Sequence, residues 1–169
     1  MNEEKKLYLN LKLSELTDIW KVYCEFHTEL YDLTCDEYVH LLASDMDKLE
    51  ETITSKELLI KTINNVEDRR TLIINELNEQ DENYNFIKLN EVVAFAKSND
   101  LNSEVLYLEK YNALLLDIIT RIQDQNKLNQ LFLNKAITSL KDLKESFSGR
   151  KTFKTYGADG ATRTKSVTP

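Results

Sequence analysis

Apolar positions recur at intervals of three and four along three long stretches, the spacing that lines one face of an α-helix. The first carries Leu16, Ile19, Trp20, Tyr23, Phe26, Leu30, Leu33, Tyr38 and Leu41, and predicts a helix over about 13–43. Residues 34–37 have the form of a capping box, but the stripe keeps its phase across them, so a new helix there ranks second. A second helix is expected from Ser44, which would cap it ahead of Asp45 and Asp47, to about Leu77. Its stripe is Met46, Leu49, Ile53, Ile60, Ile63, Ile74 and Leu77, interrupted by Lys56 and Arg70. Polar residues 78–83 then break the pattern. A short helix is predicted over 86–97, ended by Ser98, Asn99 and Asp100. The last stretch runs from about Leu101 to Ser146 through Val105, Leu108, Leu115, Ile118, Ile122, Asn126, Asn129, Phe132, Leu133, Ile137, Leu140 and Leu143. The expected fold is all-α: an elongated antiparallel bundle of three long helices plus one short helix, with a flexible C-terminal tail.

The far end of the last helix does not fit a single neighbour. Leu131, Phe132 and Leu133 are consecutive and span about 200° of the helix circumference. Either two bundle helices cover them, or one side awaits a partner.

Composition narrows the fold further. The chain has 169 residues, with three Gly and one Pro, all at or beyond Gly149. Tight turns draw on these residues, so β-sandwiches, barrels and Gly-rich nucleotide-binding folds are excluded for the body of the chain. Charge divides at the same place: residues 149–169 hold five bases and one acid, net +4, whereas 1–148 hold 17 and 28, net −11. The expected domains are therefore a helical bundle over 1–148 and a basic tail over 149–169. An acidic body disfavours nucleic acid and anionic membrane. No apolar run approaches the length of a membrane span and no secretory signal is evident, so a cytoplasmic protein without direct membrane insertion is expected.

Candidate chemistry is sparse. Glu37 and His40 have the Glu-x-x-His spacing of a di-iron carboxylate helix, but no second copy exists. Cys24, His27, Cys35 and His40 make a zinc-like count. On one continuous helix, however, the two thiols lie eleven residues apart, about 16 Å along the axis. A Cys24–His27 pair on mid-helix backbone lacks oxyanion donors. No catalytic residue, metal site or cofactor is expected, and the protein reads as a non-enzyme.

The most specific string is Tyr156, Gly157, Ala158, Asp159 and Gly160, about ten residues past the last helix. With the long helices it resembles the FlgN family of flagellar export chaperones. Leu30, Leu41, Leu42, Asp45, Leu49, Lys56, Glu57, Leu59 and Arg70 also resemble that family's upstream pattern. So do Leu128 and Leu131 among Asn126, Asn129 and Asn134. The resemblance implies a non-catalytic chaperone that binds the C-terminal helical segments of hook–filament junction proteins (FlgK and FlgL). It implies delivery to the export gate, the cytoplasmic domain of FlhA. By that resemblance, client binding falls to Leu128, Leu131, Phe132, Ile137, Leu140 and Leu143. Gate docking falls to Tyr156, with Gly157 and Gly160 shaping the turn around it. The alternative from a different class is a self-associating structural bundle that uses the same C-terminal stripe as its seam.

Overall fold

The computed structural model describes residues 3–80, 84–147, 151–156 and 162–167. Among the described residues four helices form in order: α1 (Glu3–Ala43), α2 (Met46–Asn78), α3 (Leu89–Ser98) and α4 (Asn102–Phe147). Three are long and one is short, and the fold is an all-α bundle. Two compact units divide the chain at Asn126/Lys127, inside α4.

Within residues 1–126, ion pairs and hydrogen bonds fix the direction of α1 against α2. Lys12 Nζ contacts Glu76 at 2.7 Å, Tyr23 Oη donates to Glu67 at 2.5 Å, and Lys56 pairs with Glu37. Partner numbers on α2 fall as those on α1 rise, so the two helices are antiparallel. Trp20 donates to Asn112 and Tyr31 feels the charge of Arg121, so α4 runs beside α1 in the same direction.

The core is built by all four helices and continues along α4 through Leu115, Ile118 and Ile122. Leu9, Leu13, Leu16, Ile19, Trp20 and Tyr23 of α1 meet Ile73, Ile74 and Leu77 of α2, Val92, Val93 and Ala96 of α3, and Leu101, Val105 and Leu108 of α4. Helix α1 begins ten residues earlier than the spacing predicts. The alternating leucines at its start resemble a strand, yet Leu9 and Leu13 are buried while Leu7 and Leu11 are exposed. In α2, Met46, Ile53 and Ile60 are exposed, and Thr52 and Leu59 take the inner positions instead.

Two reversals are made without glycine. After α1, Ser44 adopts φ 54°, and the amides of Ser44 and Asp45 bond to Leu41 and His40 carbonyls. After α3, Asp100 adopts φ 62°, and the amides of Asp100 and Leu101 bond to Lys97 and Ala96. Both are Schellman closures, with a non-glycine residue in the left-handed position. Ser44 is therefore the C-terminal stop of α1 rather than the N-cap of α2. Asp45 is that cap, its carboxylate accepting from the Lys48 amide at 3.2 Å.

The connection into α3 is held by side chains. Asn78 bonds Phe86 both ways, donating to its carbonyl at 2.9 Å and accepting from its amide at 2.7 Å. Tyr84, Phe86 and Phe95 pack their rings 4.7–5.4 Å apart. Glu91 accepts from the Ile87 and Lys88 amides, so α3 starts at Leu89 and Phe86 stays in the extended lead-in.

The C-terminal residues carry structure that the helical spacing does not anticipate. Strand β1 (Lys151–Tyr156) pairs antiparallel with β2 (Thr162–Val167), Lys151 opposite Val167 and Tyr156 opposite Thr162. Threonines, Phe153, Tyr156 and Val167 suit extended backbone.

Candidate functional site: an open helical seam

Helix α4 follows a strict alternation of three and four from its first turn. Leu101, Val105, Leu108, Asn112, Leu115, Ile119, Ile122, Asn126, Asn129, Leu133, Ala136, Leu140, Leu143 and Phe147 form one heptad seam, the pattern that packs knobs into holes of another helix. In the first unit that seam is covered: Val105 and Leu108 are fully buried and Ile122 is 8% exposed. From Leu133 to Phe147 the same repeat is exposed, with Ala136 half-buried. Leu133 is 45% exposed, Leu140 65%, Leu143 52% and Phe147 87%. At 46 residues α4 is about 69 Å long, and its last four turns carry this open apolar strip.

The predicted client residues fall at different places around that strip. Leu140 and Leu143 lie on the seam, and both are exposed. Ile137 (exposed) and Phe132 (half-buried) flank it, about 80° and 60° from its midline at 100° per residue. Leu128 and Leu131 are exposed as well but lie about 100° and 160° away, outside the strip. Leu133, Ala136 and Phe147 complete the strip and are absent from the predicted set. The signal that finds them is the heptad count carried on from Leu101. Asn129 interrupts the apolar run as a buried polar residue.

Of the predicted gate residues, Tyr156 is the last residue of β1 and pairs through its backbone with Thr162. Gly157 and Gly160 lie outside the described residues. The charge of the chain is also unevenly held. Residues 127–169 contain nine Lys/Arg and three Asp/Glu, net +6, against thirteen and twenty-six, net −13, in residues 1–126.

The family model described as FlgN protein matches residues 11–164. The chain belongs to the FlgN family. Comparison with curated proteins and with solved structures finds no match. FlgN membership makes this a flagellar export chaperone, in a chaperone family not known as enzymes, and it implies binding to flagellar export substrates. Among the described residues, no helix is long and apolar enough to cross a membrane.

The FlgN bundle also holds an open cleft of about 350 Å³ between α1, α2 and α4 and the start of α3, lined by Trp20, Tyr23, His27, Glu67, Arg70 and Leu89 among others. Its polar wall is internally satisfied. Arg70 forks onto Glu67, Tyr23 donates to the same carboxylate, and the Tyr23 carbonyl holds His27 Nδ1 at 2.8 Å. The Arg70 bond holds the Glu67 carboxyl below its usual range, and burial followed by Glu67 pushes the Tyr23 phenol well above its own. The Tyr23–Glu67 bond ties α1 to α2, while the Arg70–Glu67 and His27–Tyr23 bonds each lie within one helix. Cys24, at the same level of α1, donates to the Tyr111 carbonyl at 3.3 Å. Because α1 is one continuous helix, Cys24 and Cys35 stay eleven residues apart along it.

Proposed function

We propose that this FlgN-family chaperone captures the C-terminal helical segments of hook–filament junction proteins (FlgK- and FlgL-like) along the open seam Leu133, Ala136, Leu140, Leu143 and Phe147, flanked by Phe132 and Ile137. One observation carries the reading: the repeat that packs inside the bundle continues, uncovered, through the last four turns of α4. Such segments are amphipathic and aggregate through their apolar faces unless covered, and an open heptad strip offers them helix-in-groove packing. Each fully buried leucine or phenylalanine contributes about 1.5–3 kcal/mol, from which client ordering and lost translational freedom subtract. The complex is then tight enough to hold a client and loose enough to release it.

The segment from Tyr156 to Gly160 docks at the cytoplasmic domain of the FlhA-like export gate, apart from the client strip in sequence, so client and gate can be held together. Co-purification tests both assignments. Leu140→Asp with Leu143→Asp is expected to abolish capture of a junction protein and spare the gate domain. Tyr156→Ala is expected to do the reverse. Loss of both partners from either change, or capture of a client that lacks its C-terminal segment, contradicts the division.

A further inference from the structure

The open cleft in the first unit combines a series of rings, aliphatic walls and one hydrogen-bond acceptor. Three of its lining residues follow one face of α1. Trp20 meets Tyr23 edge-on at 5.8 Å and 89°, and Tyr23 meets His27 at 5.9 Å and 72°. These are steps of three and four residues, so the continuous helix sets the rings one above the other. Ile63 of α2 and Leu115 and Ile119 of α4 line the cleft with them, and its volume of about 350 Å³ is of the size that holds a ligand group.

The acceptor is His27 Nε2. Nδ1 lies 2.8 Å from the Tyr23 carbonyl, an oxygen that only accepts, so Nδ1 carries the proton of the neutral ring. Nε2 then holds a lone pair, and among the described residues it has no hydrogen-bond partner. The charges of the wall are engaged with each other: Arg70 forks onto Glu67, and Tyr23 donates to the same carboxylate. A charged ligand would lose hydration in the cleft and find each counter-charge already taken.

We infer that the cleft takes an uncharged aromatic ring bearing one donor, a tyrosine side chain presented by a partner polypeptide. The ring extends the edge-to-face series on α1, and its hydroxyl donates to His27 Nε2. A free small molecule is bound where a pocket encloses most of its surface. This cleft is open, so a ring carried on a polypeptide suits it better, because the attached main chain covers the mouth. The site is apart from the seam at 133–147 and does not rest on the reading of that seam.

The test uses the full chain. Its single tryptophan gives one indole N–H resonance, which reports on the cleft wall. p-Cresol, the tyrosine side chain in isolation, is compared with toluene, which lacks only the hydroxyl. Both are expected to shift that resonance saturably, with p-cresol binding about fivefold more tightly through its one hydrogen bond. In His27→Leu the two should bind alike. Ile63→Phe/Ile119→Phe fills the cleft and should abolish both, with circular dichroism confirming the helical fold. Tyrosine capped at both ends adds main-chain groups and should bind at least about threefold more tightly than p-cresol. No saturable shift with any of these compounds, or binding that survives the filled cleft, overturns the site. Equal binding of p-cresol and toluene to the unaltered chain overturns the donor contact. Capped tyrosine binding no more tightly than p-cresol overturns the polypeptide source.

Discussion

Trp20 donates its indole N–H to Asn112 Oδ1 at 3.1 Å across 92 residues of sequence. Asn112 occupies a half-buried seam position of α4 where an apolar residue is the rule, and the buried indole satisfies its side-chain oxygen there. Trp20→Phe removes the donor and should lower unfolding stability by about 1–3 kcal/mol in urea titration. Adding Asn112→Leu to it should recover part of that loss, since both partners are then apolar.

Glu67 links three groups, and its carboxyl is held below the usual range chiefly by Arg70, with Tyr23 assisting. A depressed folded value contributes stability that is present above the unfolded value, here 4.5, and is lost as pH falls through the folded one. The chain should therefore lose stability on acidification below that point. Glu67→Gln should flatten this part of the pH profile. The carboxylate is half exposed, so the change should be on the order of 0.5–1 kcal/mol, read from thermal unfolding at several pH values.

Ser44 and Asp100 stand where helices normally end in glycine. Ser44→Gly and Asp100→Gly should each raise stability by about 0.5–1 kcal/mol in chemical denaturation, because glycine enters the left-handed region without a Cβ clash. Unchanged or lower stability would show that the side chains contribute more than their backbone strain costs.

Much of the helical layout is legible in the spacing of apolar residues, and the misses have physical causes. Leu7, Leu9, Leu11 and Leu13 alternate, which masks a helix whose inner positions are Leu9, Leu13 and Leu16. Ser44 and Asp45 are both good cap residues, and only the positive φ of Ser44 assigns it to the end of α1. Met46, Ile53 and Ile60 share a helical stripe with Leu49, but their positions face outward once α1 is in place. The strands β1 and β2 are short, and a search for helical periods passes over them. Along the open strip, Leu140 and Leu143 of the expected client set lie on the 3–4 count from Leu101, as do Leu133, Ala136 and Phe147, whereas Phe132 and Ile137 flank that count and Leu128 and Leu131 lie off it.

The two thiols differ in environment. Cys24 is buried, donates to Tyr111, and is pushed above its usual value by burial and then by Glu25. Cys35 is half-buried. Alkylation of the folded chain, followed by mass spectrometry, should label Cys35 at least about tenfold faster than Cys24, because the thiolate is the reactive form. Denaturant should equalise the two rates.

The uncovered seam is the feature on which the assignment of the client surface turns, and amide hydrogen exchange probes it directly. With the C-terminal segment of a junction protein added, exchange across residues 133–147 should slow strongly while residues 9–24, already in the core, change little. Fast exchange throughout 133–147 in the presence of saturating bound client, or protection confined to another part of the chain, would contradict the account.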